Sequence, residues 1–443
     1  ATPLNIAPRG LVILVNFKDV TFTTSKAEID SMLIGKNYTR EYSYEHKGDV
    51  YTISSDGSAW RYFYDASNGQ YDPQFDIVGP VTVSRDLVYY GRNNTNGSDI
   101  KPQEMVKEAC MLVDDSVDFT KYDNDKDGKV DFVYVIYAGY GESDGAGSNT
   151  IWPHAWNLLS AGTRCEVDSG KLVDLYACGN ELDYYSNQHT GIGTFCHEFS
   201  HVLGLPDMYT TNKATHKTLG AWDIMDYGTY NNDSNTPPTY SAYERFFMGW
   251  LTPRLITKAE NIELAEIQNS NTALLIAEND KHNLIGNNPD TTIFYLLENR
   301  QQEGWDIYLP GHGMMLTRVH YSSTKWAGNT VNNSAKRMGV DLIEADNVTS
   351  GDEKPTDLFP AGATEYLEIK DHPIEDIVEE DGVIRFKYKG GSTISTVESV
   401  QLEDKIVAIY NILGQKQVTT DVATLPYGTY IIITQSGSHK IVR

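Results

Sequence analysis

The apolar positions of this chain follow two regimes. Up to residue 252, apolar runs of strand length alternate with segments of helical spacing. Gly10-Leu11-Val12-Ile13-Leu14-Val15-Asn16-Phe17 is a continuous apolar run, as expected of a strand buried on both faces. Phe132-Val133-Tyr134-Val135-Ile136-Tyr137-Ala138 repeats that pattern, and residues 77–84 predict a third strand. Between them, residues 26–33 predict a short helix, and residues 58–64 another, ending in the turn cluster Asp65-Ala66-Ser67-Asn68-Gly69. Residues 102–115 have helical spacing at Met105, Ala109, Leu112 and Val113, with Pro102 at a tolerated first position. The Tyr-rich, polar stretch 36–56 predicts a loop or hairpin. Residues 191–203 predict a helix with Ile192, Phe195, Phe199, Val202 and Leu203 as its apolar contacts, and residues 241–249 a second, with Tyr243, Phe246 and Phe247.

From about residue 253 the pattern changes to short alternating strands: 274–277, 292–298, 314–319, 340–344 and 383–388. Gly390-Gly391-Ser392 marks a linker, and two further strands follow at 406–410 and 430–434. The expected division is therefore 1–252, 253–389 and 390–443, an α+β domain followed by β-rich units. No internal repeat is present.

Charge narrows the partners. Sixty-one acidic residues against 36 basic ones give a formal net charge of -25, which argues against nucleic acid and anionic membranes. No apolar run reaches membrane-spanning length. The chain starts Ala1-Thr2-Pro3 with neither an initiator Met nor a signal peptide, so a processed, soluble, exported protein is expected, secreted or at the cell surface and monomeric. Four cysteines allow two disulfides. Sequence does not set the pairing; Cys165 and Cys178 flank a hairpin through Asp168-Ser169-Gly170 and are the more plausible pair, and Cys196 reads as a packing residue.

The chemistry concentrates in His197-Glu198-Phe199-Ser200-His201-Val202-Leu203-Gly204-Leu205-Pro206-Asp207. On a helix, His197 and His201 lie one turn apart on one face, so two imidazoles can reach one ion. Glu198 stands beside that face, placed to take a proton from a water activated by the ion. Gly204 permits a sharp turn, after which Asp207 returns as third ligand. Three protein ligands leave a position open, as in catalytic zinc sites. The competing structural reading, a satisfied His pair in a core helix, does not account for the Glu between them. Downstream, Trp222-Asp223-Ile224-Met225-Asp226-Tyr227-Gly228 supplies a Met-containing turn. A helix of this motif followed by such a turn is the metzincin arrangement, with Met225 packed beneath the ligands. Tyr227 is a candidate to hold the transition-state oxyanion.

A second ion is suggested by Asp123-Asn124-Asp125-Lys126-Asp127-Gly128-Lys129-Val130-Asp131. Carboxylates at alternating positions before a Gly resemble the start of a calcium loop, with Asp123, Asp125, Asp127 and Asp131 as candidate ligands. Position twelve is Tyr134 rather than Glu, so a structural loop-to-strand site is expected instead of a sensor hand. The alternative is an acidic turn with no ion. Gly139 to Gly147 is Gly-rich without a following Lys, which predicts a flexible loop rather than a phosphate cradle, and His154 reads as a packed or loop residue.

Taken together, HEFSHVLGLPDMY, WDIMDYG, LVILVNFKD, YDNDKDGKVDFVYVIYAGYGE, IWPHAWNL, SAYERFFMGWL and YLLENRQQEGWDIYLPGHGMML resemble the immune-inhibitor-A-like secreted metallopeptidases of bacteria, over most of residues 10–360. The resemblance implies a metzincin-like zinc endopeptidase domain, often calcium-stabilised, with His197, His201 and Asp207 on zinc and Glu198 as general base. It also implies a β-sandwich for the second domain. The tail, with Ala408-Ile409-Tyr410-Asn411-Ile412-Leu413-Gly414-Gln415, Leu425-Pro426-Tyr427-Gly428-Thr429-Tyr430-Ile431-Ile432 and Lys440-Ile441-Val442-Arg443, is similar to sorting domains of the type IX secretion pathway, though shorter; a small accessory β-domain is the alternative. The expected function is zinc-dependent hydrolysis of proteins or peptides. Its rivals are an exported surface or glycan-binding protein on an inactive peptidase fold, and a zinc exopeptidase.

Overall fold

The first two buried apolar runs are neighbours in one sheet of the computed structural model, which describes residues 9–391, 406–411, 414–420, 429–434 and 438–442. In chain order the strands of this sheet are β1 (Arg9–Asn16), β2 (Gln74–Thr82), β3 (Val133–Tyr140), β4 (His154–Asn157) and β5 (Leu175–Leu182). Across the sheet they run β2-β1-β3-β5-β4. All neighbours are parallel except β4, which pairs antiparallel to β5 at the edge. Alternate residues of the central strands feed two cores, because successive side chains point to opposite faces. Val12, Leu14, Tyr134 and Ile136 enter one; Leu11, Ile13, Val15, Val133 and Val135 enter the other. That two-sided burial is why these strands read as unbroken apolar runs.

The helices cover both faces. The longer ones are α1 (Lys26–Ile34), α2 (Ala59–Ala66), α3 (Pro102–Val113), α4 (Gly193–Val202) and α5 (Ala242–Met248). α3 packs Met105, Val106, Ala109 and Cys110 into the second core. α1, α2, α4 and α5 pack into the first. Ser241 caps α5 through a capping box with Glu244, and Gly249, in the left-handed conformation at φ 75°, ends it. The stretch 36–56 forms a hairpin, Thr39–His46 with Asp49–Asp56.

Beyond residue 253 two further sheets face one another. Their strands are β6 (Arg254–Leu255), β7 (Glu260–Leu264), β8 (Leu274–Ile276), β9 (Ile293–Arg300), β10 (Gly313–His320), β11 (Val340–Leu342), β12 (Ile374–Glu380) and β13 (Val383–Tyr388). One sheet is β6-β8-β9-β10-β11 and the other β7-β13-β12, with a shared core that includes Leu264, Leu297, Leu316, Ile384 and Phe386. The opposite face of β9 and β10, through Phe294, Leu296, Met315 and Val319, joins the core under α4. Residues 9–391 are therefore continuous in packing across residue 252. The tail holds a three-stranded antiparallel sheet, Ile406–Asn411, Thr429–Thr434 and Ser438–Val442, with its own cluster of Ile409, Tyr430 and Ile432. Ala1 to Pro3, Ser392, Ile412, Leu413 and Leu425 to Gly428, which carried the expectations for the chain start, the linker and parts of the sorting-domain likeness, lie outside the described residues.

The expected Cys165–Cys178 disulfide is not formed: all four cysteines are free and buried. Cys165 opens a two-residue strand that turns back on Leu172–Val173, and there its thiol neighbours that of Cys110 on α3. Cys178 belongs to β5, where its Sγ lies 3.5 Å from His154 Nδ1. The Gly-rich stretch is tied down in one wide helical turn, Glu142–Ala146, with Asn180 donating to Asp144 at 2.6 Å.

Candidate metal centre

α4 sits on the sheet through one aromatic face. Phe195 and Phe199, one turn apart, meet the rings of Phe75 at 5.1 Å each, and Phe195 meets Tyr134 at 4.5 Å. Positions two residues on are rotated about 200°, so His197 and His201 point to the other side, into a cleft of about 760 Å³. Their rings are 4.9 Å apart and perpendicular. Each Nδ1 is within 2.8 Å of a backbone carbonyl, His197 on Ile224 and His201 on Leu205. Donation there fixes the tautomer that leaves both Nε2 atoms free as ligands.

The turn after α4 brings in the third residue. Gly204 takes φ 105°, a conformation other residues resist. Asp207 Oδ1 then lies 3.2 Å from His197 Nε2 and 3.1 Å from His201 Nε2. Two ligand atoms about 2.0–2.1 Å from a tetrahedral zinc would stand about 3.3 Å apart, a separation close to both of these distances. Asp207 Oδ1 is buried without a hydrogen-bond donor, and so is Glu198 Oε2. Orphaned acceptors of this kind are what a cation and its water would satisfy. The residues fit the ion.

The electrostatics agree. Burial presses His197 toward neutrality, but contact with Asp207 and the charge of Glu198 outweigh it and lift its pKa to about 9. His201 is raised by the same carboxylate against the same burial. Burial opposes the charge of Asp207 too, yet the two imidazoles hold its carboxyl well below the usual range. Burial pushes the Glu198 carboxyl up.

The turn at Ile224 and Met225 is bonded both to α4 and to the segment that carries Asp207. Met225 is fully buried, and its carbonyl accepts the N–H of Met208, the residue after Asp207, at 2.7 Å. Ile224, just before it, accepts from His197. Tyr227 lines the cleft and is 65% exposed, its ring 6.5 Å from that of Tyr209. Tyr209 itself lies nearly parallel to His197 at 6.3 Å. Sequence reasoning missed Tyr209, although its place two residues after Asp207 was visible. It also missed Asn329, which bonds Asp207 from the second half of the chain and carried no local signal. His154 is packed, with Nε2 on the Tyr176 hydroxyl at 2.9 Å and Nδ1 on the Trp152 carbonyl at 2.6 Å.

The sequence profile of the immune inhibitor A peptidase M6 catalytic domain matches residues 7–251. The chain belongs to the immune inhibitor A peptidase M6 family. Curated relatives agree: Immune inhibitor A of Bacillus thuringiensis subsp. alesti is 28% identical over 278 residues, 54% of this chain and 39% of that protein. Pre-pro-metalloprotease PrtV of Vibrio cholerae serotype O1 (strain M66-2) is 26% identical over 271 residues, 54% of this chain and 29% of that protein. The chain thus spans well under half the length of these relatives. A metallopeptidase family implies a catalytic metal, and the M6 match contains His197, Glu198, His201, Asp207 and Met225. Among the described residues, no helix is long and apolar enough to cross a membrane.

The acidic loop of this M6 domain gathers three of its four predicted carboxylates. Asp123, Asp125 and Asp127 come together, and Asp123 Oδ1 is buried without a partner. Asp131 instead accepts the Asn124 backbone N–H at 2.8 Å, closing the loop. The Lys171 ammonium pairs with Asp123 Oδ2, a contact the sequence did not suggest.

Proposed function

We propose that the chain is a zinc-dependent endopeptidase that hydrolyses proteins or peptides outside the cell. The observation that carries this reading is the approach of one Asp207 oxygen to 3.2 Å of His197 Nε2 and 3.1 Å of His201 Nε2, with an unpartnered Glu198 oxygen on the same helix. These three side chains would hold the zinc. A bound zinc ion supplies Lewis acidity, lowering the pKa of a water and polarising the scissile carbonyl. Glu198 takes the proton from the attacking water and delivers it to the leaving amine. Its burial and raised pKa keep the carboxyl closer to neutral pH than a surface Glu, which suits both transfers. Tyr227, at the cleft wall, donates its hydroxyl to the developing oxyanion. β4 is an antiparallel edge strand along the cleft, so an extended peptide can add to it by backbone pairing with chain running out both ways. That favours internal cleavage over removal of a terminal residue.

The first domain reads as metzincin-like, ending near residue 252, with a sandwich of two sheets to residue 389 and a small β-unit after it, for which sorting is one role. Calcium bound by Asp123, Asp125 and Asp127 would stabilise the entry to β3, with Asp131 closing the loop through Asn124. Zinc content together with casein cleavage, with and without a chelator, tests the function. About one zinc per chain and chelator-sensitive internal cleavage are expected. Zinc-free protein without cleavage would overturn the reading in favour of a binding protein on an inactive fold.

A further inference from the structure

Asp207 is held in place by a residue from outside the M6 match. Asn329 Nδ2 donates to Asp207 Oδ2 at 2.6 Å, and the backbone N–H of Asp207 donates to Asn329 Oδ1 at 2.7 Å. Two bonds between the same two residues fix both the main chain and the plane of the carboxylate. Because Nδ2 occupies Oδ2, the other oxygen is the one turned to the imidazoles, and no donor besides those two rings is near it. A neutral amide does this without consuming the negative charge, as Lys or Arg would. The Asn amide carries its donor and its acceptor on one short rigid plane, as this pair of bonds requires. Asn329 also sits at φ 50°, where Asn is tolerated far better than most residues.

The neighbours of Asn329 grip the same loop. Thr211 N–H donates to Asn333 Oδ1 at 2.7 Å, and the Thr211 hydroxyl donates to the Asn329 carbonyl at 2.7 Å. Asn332 Nδ2 donates to the Met208 carbonyl at 2.8 Å. The M6 match ends at residue 251, so all these donors and acceptors from 329–333 lie beyond it.

We infer that Asn329 is a positioning residue for the metal centre, and that segment 328–333 completes a site which residues 7–251 alone leave unfinished. The inference rests on the reading of His197, His201 and Asp207 as zinc ligands. It accounts for the placement of a carboxylate, shorter than the imidazoles, at the third position: the carboxylate needs an external hold to present one oxygen to both Nε2 atoms. Hydrogen-bond partners of ligands tune metal affinity through orientation of the ligand.

The test is zinc affinity of the full chain by competition with a chromophoric chelator, read beside the melting temperature of the metal-free protein. Asn329→Ala should weaken zinc about 10- to 100-fold, and Asn333→Ala, which loosens Thr211 but not Asp207, less than about threefold. Asn329→Asp keeps the size and the tolerance of positive φ but removes the donor and sets carboxylate against carboxylate. It should weaken zinc at least as much as Asn329→Ala while the metal-free melting temperature stays within a few degrees. Parent-like zinc binding by Asn329→Asp would overturn the inference and leave the zinc reading intact. Equal losses in the Asn329 and Asn333 variants would also overturn it, reducing the segment to a general loop clamp. A parent protein that binds no zinc would remove both readings.

Discussion

Arg300 donates two 2.7 Å hydrogen bonds to Asp306, Nε to Oδ2 and Nη2 to Oδ1, with neither side chain exposed to solvent. The same guanidinium reaches Glu298 at 3.1 Å and the Trp222 carbonyl at 3.3 Å, and Glu298 accepts the N–H of Ala242 at the start of α5 at 2.5 Å. β9 thus carries charge into the core and ties it to the segment that leads into Met225. Removing one partner of a buried pair strands the other. Asp306→Ala should therefore cost about 3–5 kcal/mol in urea unfolding. A loss below about 1 kcal/mol, the range of surface pairs, would show that water reaches Arg300.

Glu198→Gln removes the proton acceptor while keeping shape and leaving all three candidate ligands. Peptidase turnover should fall about 10³-fold with zinc content unchanged. An active variant would assign the base elsewhere in the cleft.

Tyr227 and Tyr209 both reach the cleft, and their roles separate by kinetics. If Tyr227 serves the oxyanion, Tyr227→Phe should lower kcat about 10²-fold with KM little changed, because that bond forms only in the transition state. A rise in KM at constant kcat would instead make Tyr227 part of the substrate-binding wall.

Zinc affinity should rise with pH. In the metal-free protein, His197 is lifted from 6.5 to about 9 by Asp207 and Glu198 against its burial, and His201 moves the same way. The stability these histidines contribute is full below 6.5 and is lost as pH rises through about 9. Asp207, depressed below 3.8, contributes above that value and loses its contribution as pH falls through its lowered folded-state pKa. Metal-free protein should thus lose melting temperature between pH 6.5 and 9, the window of the His197 shift. Zinc needs neutral imidazoles and binds better across that window. The gap in melting temperature between zinc-loaded and chelator-treated protein should widen with pH; a constant gap would mean that the imidazoles carry no extra protons.

Calcium added to chelator-treated protein should raise its melting temperature, and Asp125→Ala should abolish that rise, since three gathered carboxylates repel one another until a cation joins them. The same rise in parent and variant would place the calcium elsewhere.

The sequence by itself determined the local parts. Unbroken apolar runs identified β1 and β3 because a strand buried on both faces needs no polar alternation. Spacing of four residues put His197 and His201 on one helix face, and Gly204 announced the turn that returns Asp207. These are short-range consequences of backbone geometry, and the structure has them in place. What the chain order does not encode is which distant side chains meet. The Cys165 thiol faces Cys110 because a two-residue strand turns it toward α3, away from Cys178. Asp131 is spent on Asn124, and Lys171 arrives at Asp123 from a turn 48 residues on. Asn329 reaches Asp207 across 122 positions. Such contacts carry no periodicity and no motif. They follow from the packing of β9 and β10 on the core that α4 shares, which only the tertiary structure decides.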